Sequence, residues 1–245
     1  MNTLDPLLLR QKLASGAVVV ALRTGIDIGP DALKSALGKA DYDLIYTDLQ
    51  HSPYTEKQLL DYCAMAEGLG YPVEVRIPHT RHGYLVGRLC DFGPAGILVP
   101  EVMRDQDVQE ALEYFYYPPM GKRSFGGSTR YGQKTRGSDA RAYAAWWNKT
   151  GVLALQLESV DAIINARQLA KPGVSYVSFG PTDLGFSLDA HPQFPFRTVL
   201  DCMRHVSDQL AGTGIPLGLA VTLTPEERKP YLDVGLTVFQ ESIRP

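Results

Sequence analysis

Two acids close short runs of strand character: Glu158 in Leu155-Gln156-Leu157-Glu158-Ser159, and Asp183 in Phe179-Gly180-Pro181-Thr182-Asp183-Leu184. If those runs are consecutive parallel strands, both carboxylates stand above the same edge of one sheet and converge. Two hard oxygen ligands with open positions suit a divalent ion that keeps waters for a bidentate substrate. The same pair also admits an N-cap for one acid and a surface ion pair for the other. Asp48, His51 and Arg76 sit at the ends of two earlier runs, Thr47-Asp48-Leu49-Gln50-His51 and Glu74-Val75-Arg76-Ile77-Pro78. A lone histidine is more often structural than catalytic, but it titrates near neutrality and can take or return a proton. Arg76 offers a planar fork matched to carboxylate or enolate oxygens. Gly180-Pro181-Thr182 makes a turn whose backbone N–H groups can hold a carboxylate beside a metal. A metal, an arginine and a histidine together describe enolate chemistry next to a carbonyl.

Short β-branched runs alternating with amphipathic stretches must position these groups. The strands expected are Val18–Leu22, Leu44–Asp48, Val73–Ile77, Gly96–Pro100, Leu153–Leu157, Tyr176–Phe179, Leu217–Val221 and Thr237–Gln240. Such alternation implies a parallel sheet wrapped by helices. Eight strands predict an α/β fold of the TIM (β/α)8 type, occupying residues 1–245 as one domain, with catalysis at the C-terminal ends of the strands. No strand–GxGxxG–helix fingerprint follows the first strand, which argues against a dinucleotide fold. Thr55…Gln58 and Thr224…Glu227 have capping-box spacing, and Ser159 is a candidate cap. Pro230 should kink or shorten a helix over Thr224–Asp233. An N-terminal helix is expected at about 4–14. The chain ends at Pro245, just past the eighth strand and short of a full eighth helix, so Leu7–Leu13 or a partner subunit is expected to cover the seam between the last and first strands.

A long connection at about 118–150 carries Lys122, Arg123, Arg130, Lys134, Arg136, Arg141 and Lys149 against Asp139. It reads either as a solvated or subunit-contacting excursion or as an electropositive rim for a carboxylate substrate. The 245-residue chain has 24 Lys+Arg against 27 Asp+Glu, a net charge of -3 that speaks against nucleic acid and against a polybasic membrane surface. Its apolar runs are too short to span a bilayer. Three widely spaced cysteines, Cys63, Cys90 and Cys202, without a CxxC pair, point to reduced thiols and a cytoplasmic protein.

In order along the chain, Asp48…His51, Val75-Arg76, Asp91-Phe92-Gly93…Leu98-Val99-Pro100, Tyr117-Pro118-Pro119-Met120-Gly121-Lys122-Arg123, Gln156-Leu157-Glu158 and Gly180-Pro181-Thr182-Asp183-Leu184 resemble the HpcH/HpaI family of metal-dependent class II pyruvate aldolases. The resemblance runs from about Gly16 to Ile243. It implies a phosphoenolpyruvate/pyruvate-type TIM barrel, assembled as a homo-oligomer (trimer or hexamer), that joins a pyruvate-like 2-oxo acid to an aldehyde or reverses that reaction. It further implies that Glu158 and Asp183 hold Mg2+, Mn2+ or Co2+, and that Arg76 contacts the oxo group. His51, in a dyad with Asp91, would move a proton, and Asp48 would lie near the metal water. Gln156, Gly180 and the Thr182 and Asp183 backbone would line the substrate carboxylate. The chain departs from the family pattern at Leu49-Gln50, at Glu101 and at Ser124, and by its short C-terminus. Those departures leave two other readings: a decarboxylase or other lyase on the same metal–enolate platform, and an inactive barrel serving as a binding or assembly subunit.

Overall fold

The computed structural model describes residues 6–136 and 139–243. Its strands are β1 (Val19–Arg23), β2 (Leu44–Asp48), β3 (Val73–Arg76), β4 (Gly96–Val99), β5 (Val152–Leu157), β6 (Tyr176–Phe179), β7 (Leu217–Ala220) and β8 (Leu236–Ser242). All neighbours pair in parallel, and β8 returns beside β1 to close the barrel. The expected strands therefore all form, with ends displaced by at most two residues, as fraying termini ordinarily are. The helices are α1 (Pro6–Ala14), α2 (Pro30–Leu37), α3 (Glu56–Gly68), α4 (Val86–Cys90, after a 3-10 turn Thr80–Leu85) and α5 (Asp105–Phe115). They continue with α6 (Gln133–Arg136), α7 (Ala140–Thr150), α8 (Val160–Ile164), α9 (Ala166–Leu169), α10 (Pro181–Ala190), α11 (Val199–Leu210) and α12 (Lys229–Leu232).

Side chains alternate along each strand, which splits the core into two clusters. Outward residues such as Ile45, Val75, Ile97, Leu155, Val177 and Phe239 pack under the helices. Inward residues Val19, Ala21, Leu44, Tyr46, Leu98, Val152, Ala154, Tyr176 and Val238 fill the barrel, together with Leu9 and Leu13 of α1. So α1 does not cover the seam between the last and first strands; it plugs the N-terminal mouth. Arg10 Nη1 reaches across to the hydroxyl of Tyr116 at 3.0 Å, and Lys12 pairs with Asp43. The seam is closed by the sheet itself, through five paired positions from Val19↔Val238 to Arg23↔Ser242. Residues 4–5 of the expected N-terminal helix and Pro245 lie outside the described residues.

Local signals shape the connections. Thr55 and Gln58 form a reciprocal capping box, and the Ser159 hydroxyl accepts from Ala162 N. Thr224 and Glu227 also bond reciprocally, but regular helix follows only at Lys229–Leu232. Pro230 lacks an N–H, so no bond returns to the carbonyl of Glu226 from that position, and the helix is shortened rather than kinked.

The 118–150 segment is not a loop throughout. Asp139 caps α7 through the N–H groups of Arg141 and Ala142, and buried Trp147 donates its indole N–H to Phe115 O at 2.9 Å. Asn148 brackets the Tyr117 backbone with two bonds. Two of the expected rim cations are interior. Arg123 stacks between Tyr117 and Trp147 and pairs with Asp91, while Arg130 lies over Phe125 and Tyr143. Aromatic faces attract a desolvated guanidinium, so these residues serve packing rather than a positive rim. Positions 137–138 of the segment lie outside the described residues.

Candidate active site

Inward alternation continues to the C-terminal ends of the strands, where the interior turns polar. Arg76, the last residue of β3, is 8% exposed and reaches sideways to its register partner Asp48 on β2. Its Nε donates to Asp48 Oδ1 at 2.7 Å and its Nη2 to Asp48 Oδ2, a bidentate pair. Nη1 donates to Gln156 Oε1 at 3.2 Å, and Gln156 Nε2 in turn donates to Glu158 Oε2 at 2.9 Å. Arginine can only donate, so this chain fixes which way the Gln156 amide points. Glu158 Oε1 accepts from the backbone N–H of Glu101 at 2.6 Å. Glu101 Oε1 accepts from Gln50 Nε2 at 3.0 Å, and Gln50 N donates to Asp48 Oδ1 at 2.9 Å. The bonds thus close into a ring through Asp48, Arg76, Gln156, Glu158, Glu101 and Gln50. It spans the ends of β2 to β5.

Burial alone would raise the Asp48 carboxyl, but the Arg76 guanidinium overrides it and holds Asp48 below the ordinary carboxylate range. Arg76 is correspondingly held more firmly protonated despite its desolvation. Glu158 is pushed up to about 7, first by burial and then by the Asp183 and Glu101 charges, against the Glu101 N–H and Arg76. A buried carboxyl raised in part by a neighbouring acid is a natural site for a cation.

Asp183 and Thr182 lie exposed in the first turn of α10, where helix geometry leaves N–H groups unpaired. Leu184 N already bonds Gly180 O, and Pro181 has no N–H, so Thr182 and Asp183 supply the free donors. Gly180 is required by contact: a Cβ there would collide with Glu158 Oε2 and lie 2.6 Å from Gln156 Nε2. The bare backbone lets the Glu158 carboxylate lie against the helix N-terminus. Two hard carboxylate oxygens so cradled, beside a buried arginine, fit a divalent ion whose remaining positions are left to water and substrate. Among the described residues no group of three or more His, Cys, Asp and Glu is arranged to hold a metal, so Glu158 and Asp183 would act as a pair.

The structure therefore brings together Asp48, Arg76, Gln156, Glu158, Gly180, Thr182 and Asp183. It does not join His51 to Asp91. His51 is exposed on the turn after β2, close enough for its charge to act on Asp48. Asp91, at the end of α4, is engaged by Arg123 Nη2 at 2.8 Å and by the Thr129 hydroxyl on its carbonyl. Among the described residues no hydrogen bond links the two, and the buried cation has taken the dyad's acid.

Sequence reasoning passed over His79, one residue beyond the strand-three run. Its Nδ1 accepts the Arg81 N–H at 2.9 Å, which puts the ring proton on Nε2, 2.9 Å from Glu101 Oε2. A 490 Å3 cleft lined by Asp27, Ser52, Tyr54 and Gln58 adjoins the His51 turn. A second cavity of 370 Å3, with Arg10, Arg167 and Lys171, lies at the foot of the barrel, away from these groups.

Residues 30–237 match the model of the HpcH/HpaI aldolase/citrate lyase family. The 2-dehydro-3,6-dideoxy-6-sulfogluconate aldolase of Pseudomonas putida is 30% identical over 207 residues, covering 82% of this chain and 77% of the relative. The 5-keto-4-deoxy-D-glucarate aldolase of Shigella boydii is 27% identical over 202 residues, with the same coverage of 82% and 77%. In three dimensions, an HpcH/HpaI aldolase from Desulfitobacterium hafniense superposes with a TM-score of 0.82 at 26% identity, covering 96% of this chain and 89% of the other.

Proposed function

This chain belongs to the HpcH/HpaI aldolase/citrate lyase family and is a carbon–carbon lyase acting on small keto acids, and on that premise we propose that it cleaves or forms a 2-oxo-acid aldol through a pyruvate enolate. The observation that carries this reading is the closed hydrogen-bonded ring. It holds Arg76 and Glu158 in one bonded array at the strand ends, with Glu158 against Gly180 at the α10 N-terminus. Class II members of the family generally depend on a divalent metal. Mg2+, Mn2+ or Co2+ held by Glu158 and Asp183 would supply Lewis-acid polarisation of the substrate's 2-oxo group.

The remaining work falls to the chain. The Thr182 and Asp183 N–H groups receive the substrate carboxylate. A guanidinium has five N–H donors, and Asp48 and Gln156 engage three of them, leaving two for the 2-oxo oxygen. In the cleavage direction the bond between C3 and C4 breaks and its electron pair runs to the 2-oxo oxygen. Charge gathers where Arg76 already points, so little reorganisation is needed. The C4 hydroxyl surrenders its proton as the aldehyde forms, and in this reading His51, exposed on the turn after β2, takes it. Returning a proton to C3 completes pyruvate. The expected homo-oligomer, trimer or hexamer, belongs to the same reading, and a native mass measurement tests it.

Exchange of pyruvate methyl protons with deuterium, followed by NMR, reports the enolising half-reaction without an aldehyde. Exchange that needs a divalent ion and collapses in Glu158→Ala and Asp183→Ala is the expected result. Undiminished turnover after chelation refutes the reading.

A further inference from the structure

Glu101 is the one residue other than glycine with a positive φ, 53°, among the described residues. A side chain there costs about 1 kcal/mol or more relative to glycine, so the position is held by its surroundings. Those surroundings are specific. The strained backbone aims its N–H at Glu158 Oε1, and the carboxylate is gripped on both oxygens, by Gln50 Nε2 at 3.0 Å and by His79 Nε2 at 2.9 Å. His79 Nδ1 is occupied as an acceptor by the Arg81 N–H, so Nε2 is the ring atom turned to Glu101. The Glu101 side chain remains 39% exposed, two residues past the C-terminal end of β4, on the side of the barrel where the strand-end polar groups gather. A negative group is thus fixed at the rim, one backbone bond from Glu158.

Resting on the aldolase reading above, we propose that Glu101, held by Gln50 and His79, selects the aldehyde: it repels one that carries an anionic group beside the carbonyl and accepts hydrogen bonds from a neutral, hydroxyl-bearing one. Discrimination by a fixed like charge is a recognised route to specificity, and its strength depends on partial exclusion of solvent.

Glycolaldehyde and glyoxylate are two-carbon aldehydes of similar size, a hydroxymethyl group on one taking the place of a carboxylate on the other. With pyruvate and Mn2+, the wild-type kcat/KM for glycolaldehyde should exceed that for glyoxylate by about tenfold, and E101Q should lose most of that ratio. E101D, which keeps the charge, should retain it within roughly threefold, as an electrostatic role requires. Q50L, which leaves the strained position alone and only loosens the carboxylate, should lower the ratio by a smaller factor than E101Q. Each ratio is taken within one protein, so a reduced folded fraction cancels. A wild-type preference for glyoxylate overturns the inference. So does an unchanged ratio in E101Q, or a fall in E101D as large as in E101Q. Pyruvate methyl exchange measured alongside separates the two readings: exchange with the wrong ratio sinks only the role of Glu101, whereas no exchange sinks the enolate reading beneath it.

Discussion

Glu74 points into the barrel one layer below Arg76 and is 1% exposed. Its Oε2 accepts from the Tyr176 hydroxyl at 2.6 Å and, more weakly, from Gln240 Nε2 at 3.4 Å. Its Oε1 has no partner, and it forms no ion pair among the described residues. Burial therefore pushes the carboxyl from 4.5 up to about 7, the two hydrogen bonds opposing only in part. The sign of the stability effect follows. Between the two values the unfolded chain has released this proton while the folded chain keeps it, so stability falls as pH rises through that window and levels off above it. From pH 5 to pH 8 the loss traceable to Glu74 is roughly 2–3 kcal/mol. Glu74→Gln keeps the shape but cannot titrate. Its amide meets no acceptor at the orphan position, so at pH 5 the variant should be less stable than wild type by about 1–2 kcal/mol. The gap should close or reverse by pH 8. Urea denaturation of both proteins at half-unit steps of pH measures this directly. Curves that stay parallel from pH 5 to pH 8 would refute the assignment of a protonated carboxyl to the barrel interior.

Arg76→Lys removes a bidentate fork that a point charge cannot replace, so kcat for retro-aldol cleavage should fall by roughly 10^2–10^3, with a smaller change in KM. Gly180→Ala drives a methyl group into the Glu158 carboxylate; titration calorimetry should show Mn2+ affinity reduced by about 10–100-fold while the thermal midpoint moves little. Leu13→Ala opens the plug under the barrel and should cost about 2–4 kcal/mol in denaturant unfolding, with kcat unchanged because the site lies at the opposite mouth. Arg123→Met, which leaves Asp91 without its buried partner, should destabilise the fold by about 3 kcal/mol or more; an unaltered unfolding midpoint would contradict a packing role.

The barrel was legible because its signals are local and repeated. Most strands are apolar runs rich in β-branched residues, and several carry a polar residue at or just after the C-terminal end. Asp48, Arg76, Glu158 and Asp183 could be picked out by that rule alone, since strand order makes consecutive ends neighbours. What escaped were contacts decided by three-dimensional competition. A run of cations in Pro118–Thr150 looks like a charged surface until one sees that Tyr117, Phe125, Tyr143 and Trp147 offer aromatic faces to two of them. That same burial spends Asp91 on Arg123, which is why the pairing with His51 does not form within the chain. Periodicity likewise places α1 but cannot say which mouth or seam its leucines enter.

Gln50 and Glu101 show a subtler limit. In sequence they are two separate departures, 51 positions apart, each a reason to doubt the site. In the structure they are bonded to each other, and together they complete the ring between Asp48 and Glu158. Without Glu101 the Gln50 amide N–H would lose its partner, a cost of about 1–3 kcal/mol; together they form that bond, while Gln50 Oε1 stays buried without a partner among the described residues. Two departures that compensate are better explained by altered selectivity at a working site than by decay of a lost one, because decay has no reason to restore a hydrogen bond. For that reason the Glu101 variants and the pyruvate-exchange measurement bear on one question from two sides: whether the rim was rebuilt while the enolate-forming machinery beneath it stayed intact.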